Sequence, residues 1–243
     1  MTADVRVYSD VNELSLYAAQ AAVAVIRHAV DTAGTCSLVL SGGDTPRTLY
    51  GLLASRFRDE VPWTQVHLFW GDERYVPQND AHSNYRMARE ALLQRVPCPA
   101  ANIHPMPTQS PDPDAAARDY EATLRSHFPG TGPRFDLLLL GLGPEGHTAS
   151  LFPESPAIAE PTRWVLAVKA PTDPAVRLTL TPPALSQAAH VYFLVAGSGK
   201  AGALGQVVSG TVDPQIYPAA AIRPVHGKIT WWVDRGAAAE LAA

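Results

Sequence analysis

Two short turns in this sequence carry the residue types that acid/base chemistry and anion binding need. In Gly141-Leu142-Gly143-Pro144-Glu145-Gly146-His147 a carboxylate and an imidazole stand two residues apart among glycines. An imidazole held by a neighbouring carboxylate is a general base near neutral pH, so His147 is the candidate base and Glu145 the group that orients it. In Ser41-Gly42-Gly43-Asp44-Thr45-Pro46 small residues run into a helix, with Thr45 the expected N-cap and Pro46 the first helical residue. The backbone of Ser41, Gly42, Gly43 and Thr45 can close around an anion at the positive end of that helix, and a phosphate is the natural occupant. A plain tight turn capping a helix is the alternative. Three cations could complete such a site: Arg74 in Asp72-Glu73-Arg74, Arg177 at the start of an alternating run, and Lys200 in Gly197-Ser198-Gly199-Lys200. For Arg74 the competing reading is a solvated ion-pair loop, and for Arg177 an edge-strand arginine in water. Lys200 is no P-loop lysine, since Leu194 and Ala201 stand at the first-glycine and Ser/Thr positions, but it can act as a point charge.

Gly141, Gly143 and Gly146 also fit the spacing of the dinucleotide-binding fingerprint, which requires a strand before it, a helix after it and an acid about 20 residues on. Pro144 and Glu145 put a rigid residue and a negative charge where a pyrophosphate would approach. Pro153 and Pro156 leave room for only a short helix, and the next apolar run, 164–169, ends in Lys169. The residues favour a turn that serves acid/base chemistry.

Both turns follow apolar runs that must position them. Leu137 to Leu140, four consecutive leucines, fit a strand covered on both faces as in a parallel sheet, and 35–40 is a second such run. In open α/β sheets ligands bind just beyond the carboxyl ends of strands, which is where both turns fall. Further strands are expected at 5–8, 66–70, 164–169, 190–196 and 229–233. Helices are expected at 10–32, 47–57, 83–93, 114–128 and 184–189, and from 197 onward, with a weak alanine helix at the end. The proline-rich stretch 97–113 reads as an irregular excursion. The fold class is α/β, one domain over residues 1–243.

With 19 basic and 23 acidic residues the formal charge is -4, so no global basic field favours nucleic acid or an anionic membrane surface. No apolar run approaches the ~20 residues that span a bilayer, and the N-terminus lacks a signal pattern. Cys36 and Cys98 form neither a disulfide framework nor a Cys-x-x-Cys site, which suits a reduced, cytoplasmic protein. His67 reads as a core or sheet-face histidine and His28 has no partner at metal spacing, so neither a metal nor another cofactor is expected.

Five segments, Ser41 to Pro46, Trp70-Gly-Asp-Glu-Arg-Tyr-Val-Pro77, Gly141 to Pro153, Arg177-Leu-Thr-Leu-Thr181 and Gly199-Lys-Ala201, resemble in order the 6-phosphogluconolactonase family. The resemblance implies a Rossmann-like, mostly parallel sheet with helices on both faces and no dinucleotide. It also implies hydrolysis of 6-phosphogluconolactone, a small sugar-phosphate lactone, by a monomer or homodimer. By matching positions, His147 would be the catalytic histidine and Arg74 a substrate-side arginine, with Ser41 to Thr45, Arg177 and Lys200 around the phosphate. The family usually has Asp where this chain has Glu145. Glucosamine-6-phosphate deaminases of the wider superfamily share both turns, but His147 is followed by Thr-Ala-Ser-Leu-Phe-Pro rather than a pattern of the Ile-Ala-Phe-Asn-Glu type. A sugar-phosphate sensor is a further alternative; such sensors usually carry a DNA-binding segment, and none precedes Val5.

Overall fold

The computed structural model describes residues 4–130 and 132–241. Six parallel strands form the main sheet: β1 (Asp4–Tyr8), β2 (Cys36–Leu40), β3 (Val66–Trp70), β5 (Leu137–Leu140), β8 (His190–Val195) and β9 (Lys228–Asp234), in the order β1-β9-β8-β5-β2-β3. Every residue of β2 and β5 is buried, which explains their unbroken apolar runs. The helices are α1 (Val11–Ala33), α2 (Asp44–Leu53), α3 (Asn84–Ala91), α4 (Pro113–His127), α5 (Pro182–Leu185) and α6 (Ala201–Ser209). From β2 the chain moves outward to β3, then returns across β2 to β5 and proceeds through β8 to β9. Crossovers of one hand that run in opposite directions lie on opposite faces of a sheet, so β2 and β5 flank the switch point.

The local signals at the ends of α1 act as expected. Asp10 accepts from the N–H groups of Asn12 and Glu13 (2.8 and 3.0 Å), Glu13 accepts from Ser9 N–H (2.7 Å), and Gly34, at φ 79°, closes the helix onto Val30 O. Leu14, Ala18, Ala22 and Ile26 bury the apolar stripe completely.

Three expectations are corrected. Thr45 is not an N-cap: Gly43, at φ 103°, holds that position and α2 already starts at Asp44, because the glycine can take the backbone turn that threonine resists. The helix expected at 184–189 is the four-residue α5 beginning at Pro182, since two prolines fit the first helical positions, where no N–H is needed. Asp72-Glu73-Arg74 is not a loop but strand β4 (Asp72–Arg74), which pairs with β7 (Val176–Leu180), itself paired with β6 (Val165–Lys169), in a small antiparallel sheet. Gly71 joins the two sheets: its N–H donates to Leu40 O at 2.9 Å and its carbonyl accepts from Leu180 N–H at 2.8 Å. The excursion at 97–113 covers the open edge of β3, where His104 N–H donates to Leu68 O at 2.9 Å.

Candidate active site

The carboxyl ends of β2, β5 and β8 and the start of β4 surround a cavity of about 390 Å³. Ser41, Gly42, Gly43, Thr45, Arg74, His147, Arg177 and Lys200 all line it. Glu145 lies behind His147 rather than on the wall, with Oε1 2.8 Å from His147 Nδ1. Partial burial pushes the Glu145 carboxyl up, but its own N–H, the His147 imidazole and the charge of Lys200 together hold it below the usual carboxylate range. An ionised carboxylate can only accept, so His147 Nδ1 carries the hydrogen in this contact.

The glycines around His147 have different duties. A side chain on Gly143 would collide with the imidazole, so this position must be bare for the ring to lie against the backbone. Gly146 takes φ 85°, which a side chain resists. The turn folds on itself, with Gly143 N–H donating to His147 O (2.8 Å) and Gly146 N–H to Gly143 O (3.0 Å). The chain beyond it forms only a bridge from Thr148 to Leu151 and a short 3-10 turn at Pro156–Ala159, so no helix opens where a dinucleotide site requires one.

The turn after β2 is fixed by a buried side chain. Tyr50 Oη accepts from Ser41 N–H and donates to Ser41 O, each at 2.9 Å. Gly43 gives α2 no side-chain cap, so the first N–H groups of the helix remain for a ligand. Gly42 is pressed against the Asn84 amide, which a side chain there would overlap.

The small sheet supplies two of the three cations. Arg74 and Arg177 are directly opposite each other across the β4–β7 pair, an arrangement unfavourable for like charges. Arg177 is only 6% exposed; its Nε donates to Pro174 O at 2.6 Å and an NH2 to Thr172 Oγ1 at 3.3 Å, which fixes the guanidinium. Arg74 donates to His82 O at 2.7 Å, while its Nε is buried without a partner among the described residues, as is Ser41 Oγ. Lys200 ends a 3-10 turn after β8.

Sequence reasoning missed Asn84 as a wall residue and gave Asp72 only as a member of a charged cluster. Asp72 accepts from Ser150 Oγ at 2.7 Å and from Asn84 Nδ2 at 3.3 Å, a buried network linking β4, α3 and the segment after His147. No local spacing could reveal it, because Ser150 and Asp72 meet only through the fold. Glu73, in the same charged triplet, is structural: its carboxylate accepts from the N–H groups of Arg74, Asn84 and Tyr85, each at 2.7 Å, and so caps α3 from outside. Burial pushes this carboxyl up to about 7 against those three donors.

Fold and cavity define a doubly wound α/β protein with a cation-lined cleft at its switch point and no dinucleotide turn. Residues 9–231 match the family described as glucosamine-6-phosphate isomerases/6-phosphogluconolactonase, and the chain belongs to that family. It is 46% identical over 219 residues to a 6-phosphogluconolactonase of Synechocystis sp., covering 89% of each chain. It is 42% identical over 248 residues to one of Mycobacterium bovis, covering 99% of each. Among solved structures, 6-phosphogluconolactonase from Leishmania guyanensis superposes with a TM-score of 0.89 at 29% identity over 100% of both chains. No helix among the described residues is long and apolar enough to cross a membrane.

Proposed function

We propose that this chain hydrolyses 6-phosphogluconolactone to 6-phosphogluconate, with His147 as the base. The observation that carries the reading is the convergence of His147, the cations Arg74, Arg177 and Lys200, and the uncapped start of α2 on one cavity. The opposition of Arg74 and Arg177 becomes favourable once an anion lies against them. Members of this family at 46% and 42% identity bear the lactonase name, which favours that substrate over an amino sugar phosphate.

In this mechanism the free N–H groups after Gly42, together with Arg177 and Lys200, hold the phosphate and so place the lactone carbonyl over His147. Nε2 takes a proton from water as the water oxygen bonds to C1, and the Glu145 carboxylate stabilises the imidazolium. The negative charge that develops on the carbonyl oxygen faces the Arg74 guanidinium. When the tetrahedral centre collapses, the C1–ring oxygen bond breaks and His147 returns its proton to the departing ring oxygen. A lactone is an activated ester, so positioning and one base suffice and no covalent nucleophile is required.

The test is hydrolysis of freshly made 6-phosphogluconolactone by purified protein, corrected for spontaneous hydrolysis. Acceleration that saturates with substrate is expected. Absence of acceleration, together with ammonia release from glucosamine 6-phosphate, would overturn the reading.

A further inference from the structure

Away from the cavity, three histidines from three elements converge beside the open edge of the main sheet. His67 is the second residue of β3, His104 follows the bridge between Ile103 and Leu68, and His127 is the last residue of α4. Their candidate ligand nitrogens all lie within 4.8 Å of one another, and none of the three lines the catalytic cavity. His67 Nδ1 is 3.2 Å from His104 Nε2. Zinc–nitrogen bonds of 2.0–2.1 Å in a tetrahedron put ligand nitrogens about 3.3 to 3.4 Å apart, so this pair already has the spacing of two ligands on one ion. The third ring is carried at a helix end, where a small side-chain adjustment closes the triangle.

The surroundings fit an imidazole site better than plain packing. Phe69 stacks on His104 (centroids 4.6 Å, 12°) and Phe128 meets His127 edge-on at 4.7 Å, giving an apolar backing, while all three histidines keep part of their surface in solvent. An ion therefore has access, and a fourth position remains for water. A histidine at a helix C-terminus would ordinarily be favoured as a cation. Burial instead pushes His67 and His127 down, and pushes His104 down to about 4 with help from its two neighbours, so the rings present lone pairs at neutral pH. The spacing along the chain gives no hint of this arrangement, because 67, 104 and 127 belong to separate elements.

We propose that His67, His104 and His127 form a binding site for a late first-row divalent metal ion, such as Zn²⁺, that is structural rather than catalytic. The ion would tie edge strand β3, the excursion that covers it and the end of α4 into one unit. Borderline-soft ions of this kind match an all-imidazole set, whereas Mg²⁺ and Ca²⁺ prefer oxygen.

The experiment uses untagged, chelator-treated protein titrated with Zn²⁺ by calorimetry and with Co²⁺ by visible absorption. One equivalent should bind, the Co²⁺ complex should show the strong bands of a four-coordinate nitrogen site, and Tm should rise by a few degrees with saturating Zn²⁺. His127→Gln and, separately, His104→Gln should weaken binding by at least about 10- to 100-fold, the loss that even an outer-shell change brings. Circular dichroism should show both variants folded, with lactone hydrolysis unchanged by either substitution or by the ion. Binding that persists in both variants, that disappears in His147→Gln instead, or that is not detected at all would overturn the proposal.

Discussion

The turns after β2 and β5 stand side by side on paired parallel strands, yet they equip the cavity in opposite ways. The turn at 41–45 offers backbone: its glycines take conformations and contacts closed to other residues, and its helix starts without a side-chain cap. The turn at 141–147 spends the N–H groups of Gly143 and Gly146 internally and offers a side chain, the imidazole of His147 with Glu145 behind it. One position in a fold can thus serve binding or chemistry, depending on whether its N–H groups are spent within the turn or left free. Under the proposed function the first turn and its cations govern affinity for the phosphate, and the second governs turnover.

The largest expected effect tests the second half of that contrast. His147→Gln should lower kcat on 6-phosphogluconolactone by about 10² to 10⁴, the usual worth of a positioned base, with product affinity little changed. A folded variant with near wild-type turnover would remove the histidine from the chemistry. Gly143→Ala should come next, with a loss of about 10², because its methyl group displaces the ring and small misplacements of a catalytic group are costly. A crystal structure of that variant should show the imidazole moved away from Glu145.

Arg177→Ala and Lys200→Ala test the first half. Each removes a charge-assisted contact of roughly 1.5 to 3 kcal/mol, which should raise KM for the phosphorylated lactone by about 10- to 150-fold. Hydrolysis of unphosphorylated gluconolactone should barely change, and equal losses on both lactones would erase the division between the two turns. Arg74→Ala should instead slow turnover on both substrates, because the proposed mechanism sets its charge against the developing oxyanion.

The smallest effects concern Glu145. Glu145→Asp should be tolerated, and Glu145→Gln should slow turnover several-fold by weakening the hold on His147 Nδ1. Because the folded carboxyl lies below the usual range near ~4.3, its ionised form is complete at neutral pH and is lost only as pH falls through that lowered value. The rate ratio of wild type to Glu145→Gln, measured across pH, should therefore be largest at neutral to alkaline pH and shrink as pH falls, because the carboxylate favours the imidazolium, which cannot act as base, and is itself finally protonated. A ratio that grows as pH falls would mean that the carboxylate is not what holds the ring.

Much of this site was legible in sequence because its signals are local. A run of leucines, three glycines, a carboxylate and a histidine within eleven residues specify a buried strand and an armed turn without knowledge of distant contacts. The small sheet was not legible: Asp72-Glu73-Arg74 has the composition of a loop, and only pairing with Val176–Leu180, about a hundred residues away, makes it a strand. The opposition of Arg74 and Arg177 depends on that pairing, as does the network of Asp72, Asn84 and Ser150. Thr45 misled because a threonine before a proline usually marks a helix start, whereas Gly43 could form the start earlier.

Gly71 gives the cleft a fixed gauge. Through its N–H it belongs to the sheet that carries His147, and through its carbonyl to the sheet that carries both arginines, so the spacing between these two parts of the cleft is held by two backbone hydrogen bonds on one residue. A sugar phosphate shorter by one carbon should therefore occupy the anion end normally while its carbonyl falls short of His147, acting as a competitive inhibitor that is hydrolysed poorly. In this cleft molecular length, rather than the pattern of hydroxyl groups, would be the first property by which substrates are sorted.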